Sequence, residues 1–562
     1  MKEKVLKVLN EAITNFGWNV QFDVNEPPSE IKADLASNLP IVVSKKYGVS
    51  PEEVFGKVKD YCFYNFRDYM FKELTFSSPG FINIVLSKVI FYEELKQILI
   101  QQKKYPKVDT KDEKVLIEFV SANPTGPLHI GHGRCAVLGD VLGNLLRKLG
   151  YNVQKEYYVN DRGRQIDVLT ASVVYTLIEQ KYEIVDEKIR LWSEDVVKET
   201  KYKGEYIKGL AAKLQDKFGK ISESNINDVK KFIVDTIMGE IELSLKKFNV
   251  NFDNYIYETS LYETKLVDEI NQLMYQNKLV ETKDGAVWFK SAELTDDKDR
   301  VIIKSTGEPT YFFSDIIYHY NKVQRNFNWL INIWGTDHHG YVERLKSACK
   351  VIFDSIGKNV KLDILLYQLV SLIKGGQRVA MSTREGKFVT LDEVIAEVGT
   401  DVTRFFLLTK SPNAHLDFDL DLAKEHSLKN PVYYIQYAHT RCCGIIREVG
   451  DIINVSDIES HPEIYFDLLE NYDNFTDEEI VLIRKLCFYK DTLELCAGAL
   501  SLHHLCNYLI DLARIFHKFY ERCRVIEKSN VVIYPRLLLV MATKIIFNNS
   551  LNILGISAPE RM

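Results

Sequence analysis

Residues 115–150 read VLIEFVSANPTGPLHIGHGRCAVLGDVLGNLLRKLG, and this stretch decides the fold. VLIEFV (115–120) is short, apolar and rich in β-branched and aromatic residues, as a buried parallel strand requires. Val137, Leu138, Val141, Leu142, Leu145 and Leu146 then recur at helical spacing up to Gly150, which predicts a helix closed by glycine. NVQKEYYV supplies the next strand. Strand, loop, helix and strand in that order make a βαβ unit, and the central domain is expected to be α/β.

Outward from that unit, the 562 residues exceed what one core accommodates, so several domains are expected. Residues 1–105 read as a small α+β domain. MKEKVLKVLNEAITNFGW is an amphipathic helix with Val5, Leu9, Ala12 and Phe16 on one face, and its Glu3 and Glu11 are foreign to a signal peptide. WNVQFDV and GFINIVLS are its strand-like runs, and the polar residues 101–114 a linker. The α/β domain is placed at 106–400. Within it, residues 187 to about 285 are rich in lysine and glutamate and read as a helical insertion. The sheet resumes with WLINIW (329–334), followed by GTDHHG and a helix, then LLYQLVSLI, the turn KGGQ and the loop AMSTREG. From DVTRFFLL (401–408) to residue 562 almost only helices are expected, as an all-α bundle.

With 46% hydrophobic and 27% charged residues the composition is that of a soluble globular protein. No uninterrupted apolar run long enough to cross a bilayer is evident, and a cytoplasmic protein without a membrane partner is expected. Nine cysteines include no CxxC pair. His503, His504 and Cys506 on one helix read as packing, so no protein metal site is expected. The net charge is −6, but residues 481–562 hold 11 Lys and Arg against 6 Asp and Glu, a local +5 on a body of −11. A basic end suits docking of a polyanion at one place.

In the opening loop, Gly131, Gly133 and Ala136 match a dinucleotide fingerprint, with Glu156 about 20 residues on. That fingerprint needs its first glycine directly after the strand, and here residues 121–130 intervene. Plain loop punctuation is a second reading. The third is phosphate chemistry. A helix N-terminus offers free N–H groups and a positive dipole end. His129 and His132 on the first turn would add donors, and Gly131 would let a flat ring pack on the backbone.

His129-Ile130-Gly131-His132 resembles the HIGH signature of class I aminoacyl-tRNA synthetases, and the longer EFVSANPTGPLHIGHGR resembles the arginyl enzymes in particular. YYVNDRGRQ (157–165), YFFSDIIYH (311–319), IWGTDHHGY (333–341), NPVYYIQYAHTR (430–441), LARIFHKFYERCRV (512–525) and LGISAPERM (554–562) are similar to that family in the same order. The resemblance implies a Rossmann-type catalytic domain that joins L-arginine to tRNA(Arg) through an arginyl-adenylate, using ATP with Mg²⁺ and no prosthetic group. It also implies an N-terminal domain on the tRNA elbow and a C-terminal anticodon-binding domain, in a chain that is usually a monomer.

Residue by residue, the resemblance makes Ala122, Asn123, Pro124, Thr125, Gly126, Pro127, Leu128, His129, Ile130, Gly131 and His132 the signature region. His129 and His132 would stabilise the α-phosphate under attack. Gly131, Gly335, Asp337, His338, Met381 and Ser382 would join them around ATP. Glu118 and Asp315 would grip the guanidinium in a fork, which planar donors require. Tyr311 would pack along the aliphatic stem and Asn123 would hold the α-amino group, with Ser121, His129 and His339 lining the same site. Tyr508, Phe516, Phe519 and Tyr520 are available for stacking unpaired bases, although any one of them reads equally as helix core.

One departure stands out. The family's KMSKS loop corresponds to Ala380-Met381-Ser382-Thr383-Arg384, and both lysines are gone. The position three before His129, where a compensating lysine would sit, is Gly126. Arg384 is the nearest candidate cation, flanked by Lys374, Arg378 and Lys387. Two rival functions stay open at this point. One is a small-molecule adenylyltransferase, which the extra terminal domains disfavour. The other is a silent tRNA-binding relative, which intact His129, His132, Asn123 and Asp315 disfavour.

Overall fold

The computed structural model describes residues 1–28, 30–67, 69–294, 296–379, 389–472, 474–528 and 530–562. Five strands form one parallel sheet: β1 (Lys114–Glu118), β2 (Asn152–Val159), β3 (Asn254–Tyr257), β4 (Trp329–Gly335) and β5 (Lys361–Tyr367). Their spatial order is β5-β4-β1-β2-β3. The order reverses between β1 and β4, so the crevice beyond their C-terminal ends is the switch point at which such sheets bind ligands. Eight helices enter the argument: α1 (Ile130–Lys148), α2 (Tyr311–Gln324), α3 (Val342–Ser355), α4 (Leu391–Val398), α5 (Thr400–Leu408), α6 (Pro431–Gly450), α7 (His503–Arg522) and α8 (Tyr534–Leu554).

Strand alternation explains why β1 lies at the centre. Val115 and Ile117 point into one apolar cluster, shared with α1, while Leu116 points into a second, shared with α2 and α3. All three are fully buried, worth about 1.5–3 kcal/mol each. α1 presses unusually close to the sheet because Gly139 has no side chain. A Cβ there would lie 2.1 Å from the Phe119 ring.

The N-terminal segment forms an antiparallel sheet from Val24–Asn25, Leu35–Ser37, Phe81–Leu86 and Phe71–Ser77. Of the expected strand WNVQFDV, only Val24 is in a ladder. Burial does alternate along it, but two of its backbone donors go to side chains, Asn19 N–H to Tyr47 OH and Asp23 N–H to Asn38 Oδ1. Residues 187–285 begin as expected with helices Glu187–Glu199, Glu205–Lys217 and Ile226–Lys247. They also contain β3, whose four residues are all half-buried and so give no apolar run to read. A short strand, Leu416–Asp419, pairs with Val370–Lys374 inside the segment expected to be almost wholly helical. α8 is long and apolar enough to cross a membrane by length and composition, unlike any stretch found in the sequence reading. Arg536 and Lys544 interrupt its run, and most of it is buried within the protein as a core helix.

One side chain ties distant segments together. Arg404 of α5 is fully buried, and its guanidinium donates to Asp140 Oδ2 of α1 (2.6 Å), Leu554 O of α8 (2.8 Å), Phe248 O (2.8 Å) and Asn249 O (3.0 Å). Asp140 also accepts from Lys155 Nζ of β2 at 2.6 Å. Removing either side of such a buried pair strands the other, at about 3–5 kcal/mol.

Candidate active site

The loop after β1 turns sharply. Val120 and Ser121 adopt φ of 64° and 38°, a left-handed conformation that costs about 1–3 kcal/mol per non-glycine residue. Local bonds hold it. Val120 N–H donates to Cys135 Sγ (3.1 Å), Ser121 Oγ donates to Glu118 Oε1 (3.1 Å), and Tyr158 N–H donates to Ser121 Oγ (3.2 Å). The turn therefore fixes Glu118 and Ser121 together, while Asn123 beyond it is exposed. The inserted helix Glu205–Lys217 reaches back to the same loop, where Tyr206 OH donates to Thr125 O at 3.0 Å. A Cβ on Gly126 would lie 3.2 Å from the Tyr206 ring, which crowds any lysine at that position.

At the start of α1 the two histidines do something the sequence did not predict. His129 is the N-cap and lies outside the first turn. Its Nδ1 accepts from Gly131 N–H (3.1 Å) and His132 N–H (3.3 Å), and His132 Nδ1 accepts from His129 N–H (3.3 Å). The rings stack with centroids 3.7 Å apart. So the expectation of free backbone N–H groups is corrected at Gly131 and His132, whose donors are used internally. Because each Nδ1 accepts, each neutral ring carries its proton on Nε2, which makes Nε2–H a hydrogen-bond donor. Burial lowers the pKa of both; for His132, burial and then the His129 charge bring it to about 3. Both are thus neutral donors at physiological pH. A Cβ on Gly131 would meet His129 Cε1 at 2.9 Å, so the flat ring that this glycine admits is His129 itself.

Across the switch point, α2 presents Asp315. Its Oδ2 accepts from Tyr341 OH at 2.6 Å. Burial raises its pKa to about 7; the Tyr341 bond opposes that rise, and the charges of Glu118 and Glu258 reinforce it. Tyr311, one turn earlier, is 67% exposed and its ring lies outside the core. β4 ends at Gly335, and Asp337, His338 and His339 follow in a 3₁₀ turn, Thr336–Tyr341. Asp337 Oδ1 sits where a Gly335 Cβ would be, 2.4 Å away, and Asp337 Oδ2 lies 3.6 Å from His338 Nε2. Met381, Ser382, Thr383, Arg384 and Lys387 lie outside the described residues. Thr390, just beyond them, bridges to His129, and Leu391 N–H donates to Leu128 O at 2.8 Å. Of the flanking cations, Lys374 pairs with Glu397 (3.2 Å) and Arg378 with Asp417 (3.3 Å).

Three residues escaped the sequence reading. Lys322 pairs with Glu118 Oε2 at 2.6 Å, Tyr341 holds Asp315, and Glu258 accepts from Ser314 Oγ at 3.1 Å beside it. Glu156, the acid of the dinucleotide reading, is consumed by a two-pronged bond from Arg325 and by Tyr318 and Asn254. A lysine on an inward, otherwise apolar face of α2 was the available signal for Lys322.

In the C-terminal bundle, Tyr508, Phe516 and Phe519 are buried core, and only Tyr520, 41% exposed, of that group faces out. Arg441 of α6 lies 4.2 Å from its ring and 4.6 Å from that of Tyr437, which stacks on Tyr433. Packing claims the buried three, and Tyr520 belongs to a cation–aromatic strip with Arg441 and Tyr437.

A switch-point sheet with an HxGH pair opening the helix after β1, and a helical bundle behind it, is the arrangement of a class I aminoacyl-tRNA synthetase. Comparison with known proteins narrows the class. Residues 94–416 match the tRNA synthetases class I (R) catalytic domain, residues 1–86 the arginyl tRNA synthetase N-terminal domain, and residues 435–562 the DALR anticodon binding domain. An arginine–tRNA ligase of Aquifex aeolicus is 39% identical over 100% of this chain and 99% of its own. One from Carboxydothermus hydrogenoformans is 38% identical over 96% and 94%. A Thermus thermophilus arginyl-tRNA synthetase structure, 20% identical, shares the fold over 100% of both chains with a TM-score of 0.74. The chain belongs to the class I arginyl-tRNA synthetases, and its activity is that of an arginine–tRNA ligase.

Proposed function

We propose that this crevice makes arginyl-adenylate from L-arginine and ATP, and that the same site then passes arginine to tRNA(Arg), releasing AMP. ATP brings Mg²⁺ with it as substrate. The Nε2–H groups of His129 and His132 donate to the α-phosphate as charge builds on it, and being neutral they do so without a prior proton loss. The arginine carboxylate is the nucleophile, so the protein supplies position and charge and no covalent group. Glu118 and Asp315 hold the guanidinium, Tyr311 covers the stem, and Asn123, with Ser121 and His339 nearby, receives the α-amino end. Gly335, Asp337 and His338 flank the ribose and adenine. Met381 and Ser382 complete the nucleotide side, and Arg384 takes the β- and γ-phosphates in place of the missing lysines.

The domains divide the work at about residues 105 and 400. The first takes the tRNA elbow, the last the anticodon, and the chain acts as a cytoplasmic monomer. The observation that carries this reading is the pairing of a hydrogen-bonded acid, Asp315, with Glu118 at one side of the switch point and the stacked His129 and His132 at the other. The test is pyrophosphate release from ATP with arginine and tRNA added singly and together. Release is expected only with both, because tRNA completes the site by closure. Equal release with arginine alone would defeat that order of events, and release indifferent to arginine would defeat the whole reading.

A further inference from the structure

The amino-acid side of the crevice holds a cation that this scheme leaves unused. Lys322 lies seven residues beyond Asp315 on α2, with its side chain fully buried. Its Nζ donates to Glu118 Oε2 at 2.6 Å and to Asn332 Oδ1 at 3.0 Å, and sits 4.1 Å from the Tyr318 ring centroid. A carboxylate, an amide oxygen and an aromatic face together make a compact cage for an ammonium.

Both ends of the cage are fixed. Glu118 Oε1 accepts from Ser121, itself held in the left-handed turn. Asn332 Nδ2 donates to His319 Nε2 at 2.7 Å, and His319 Nδ1–H donates in turn to Asp315 O at 2.7 Å. Asn332 cannot turn its oxygen away from Lys322 without breaking this chain. Fold stability alone does not call for a lysine here, since buried ion pairs are commonly replaceable by apolar side chains of similar volume.

Resting on the reading of Glu118 and Asp315 as the guanidinium acids, we propose that Lys322 is a specificity-determining residue that excludes lysine and other ω-amino amino acids. Its ammonium occupies the carboxylate cage on this side of the crevice. A substrate ammonium reaching for Glu118 meets a like charge already seated on Oε2. A guanidinium is planar and delocalised, and it spreads its five donors over Asp315 and the Oε1 edge of Glu118. The pocket thus rejects the wrong cation by a built-in repulsion alongside its attraction for the right one.

The test is tRNA-supported ATP–pyrophosphate exchange with arginine, lysine or ornithine, on the full chain and its variants Lys322→Met, Glu118→Gln and the double variant. Thermal melting and the KM for ATP report folding. Lys322→Met is expected to raise the lysine-to-arginine ratio of kcat/KM by on the order of 10²-fold with the ATP KM kept. The double variant, which lacks the Glu118 acid that Lys322 vacates and has no stranded buried charge, is expected to lose that gain. A folded Lys322→Met whose ratio stays within about threefold of the starting protein overturns the proposal. Should Lys322→Met not fold, the neutral Lys322→Gln carries the same comparison with the same two outcomes. The underlying reading fails separately: Glu118→Gln with an unchanged KM for arginine removes Glu118 from the pocket whatever Lys322 does.

Discussion

On the α2 side of the crevice, Asp315, Glu118, Ser121, Lys322 and Tyr341 each hold a partner at 2.6–3.1 Å. On the β4 side, Asp337 is 82% exposed, and its side-chain contact is a loose 3.6 Å approach to His338. The first side is built before substrate arrives, and its groups need not reorganise when a guanidinium enters. The second is a turn whose polar side chains make longer contacts. On the proposed assignment, the preorganised side is the one that selects between similar cations and the looser side the one that takes the nucleotide.

The largest expected effect attacks the ordered side. Asp315→Ala leaves a buried guanidinium without its acid, and truncation of one partner in such a pair costs about 2–5 kcal/mol. The KM for arginine should rise by roughly 10²- to 10³-fold, with the KM for ATP nearly kept. A parallel rise in both would erase the contrast between the two sides.

Arg384→Ala tests the nucleotide side. Single-turnover adenylate formation should slow by about 10²- to 10³-fold, the usual loss for one transition-state donor, with little change in ATP affinity. Activation at the original speed would move the role to Lys387 or to the salt-bridged Lys374 and Arg378.

Next in size is a pH effect confined to one substrate. With its pKa raised to about 7, mainly by burial, Asp315 is protonated in the empty pocket below that pH. Guanidinium binds the carboxylate form, so the KM for arginine should be flat above pH 7 and rise about tenfold per unit below it. Lys322, Tyr341, Glu118 and Glu258 are the groups that face this carboxyl. The sign for folding follows the same group. The stability linked to its raised pKa is fully present below the ordinary carboxylate value and is lost as pH rises through about 7. The KM for ATP should not follow this curve, and Asp315→Asn should flatten it.

The smallest effect sharpens the comparison. Tyr341→Phe removes one hydrogen bond to Asp315, worth about 1.5–3 kcal/mol when the acceptor is charged. Arginine KM should rise about tenfold or somewhat more, kcat should hold, and the pH break should move upward, because the Tyr341 bond opposes the rise in the Asp315 pKa.

The central sheet was legible because its strands carry their burial in their own composition: VLIEFV and WLINIW are apolar on both faces. β3 was hidden because Asn254–Tyr257 is half-buried throughout and its partner, β2, lies about a hundred residues earlier. The signature histidines could be located by spacing, but their mutual capping depends on ring rotamers that no periodicity records. Likewise Asp315 could be named from YFFSDI, whereas Tyr341 and Lys322 become visible only when β4 brings the 3₁₀ turn and Asn332 beside α2. Tyr508, Phe516 and Phe519 illustrate the opposite error. An aromatic run on a basic helix invites a nucleic-acid reading, and packing claims three of the four.

The knot at Arg404 has a consequence for how the protein is made. Its four carbonyl and carboxylate partners come from chain positions 140, 248, 249 and 554. Ribosomes add about 5–20 residues per second, so Arg404 emerges some tens of seconds or less before its last partner is synthesised. Through that interval the guanidinium lacks the Leu554 carbonyl, and the surface of α1 that it joins is unsealed. A nascent chain halted short of residue 554 therefore leaves the Arg404 Nε–H without its carbonyl acceptor where α5 meets α1. The junction of α1, α5 and α8 is thus completed only once residue 554 has been made.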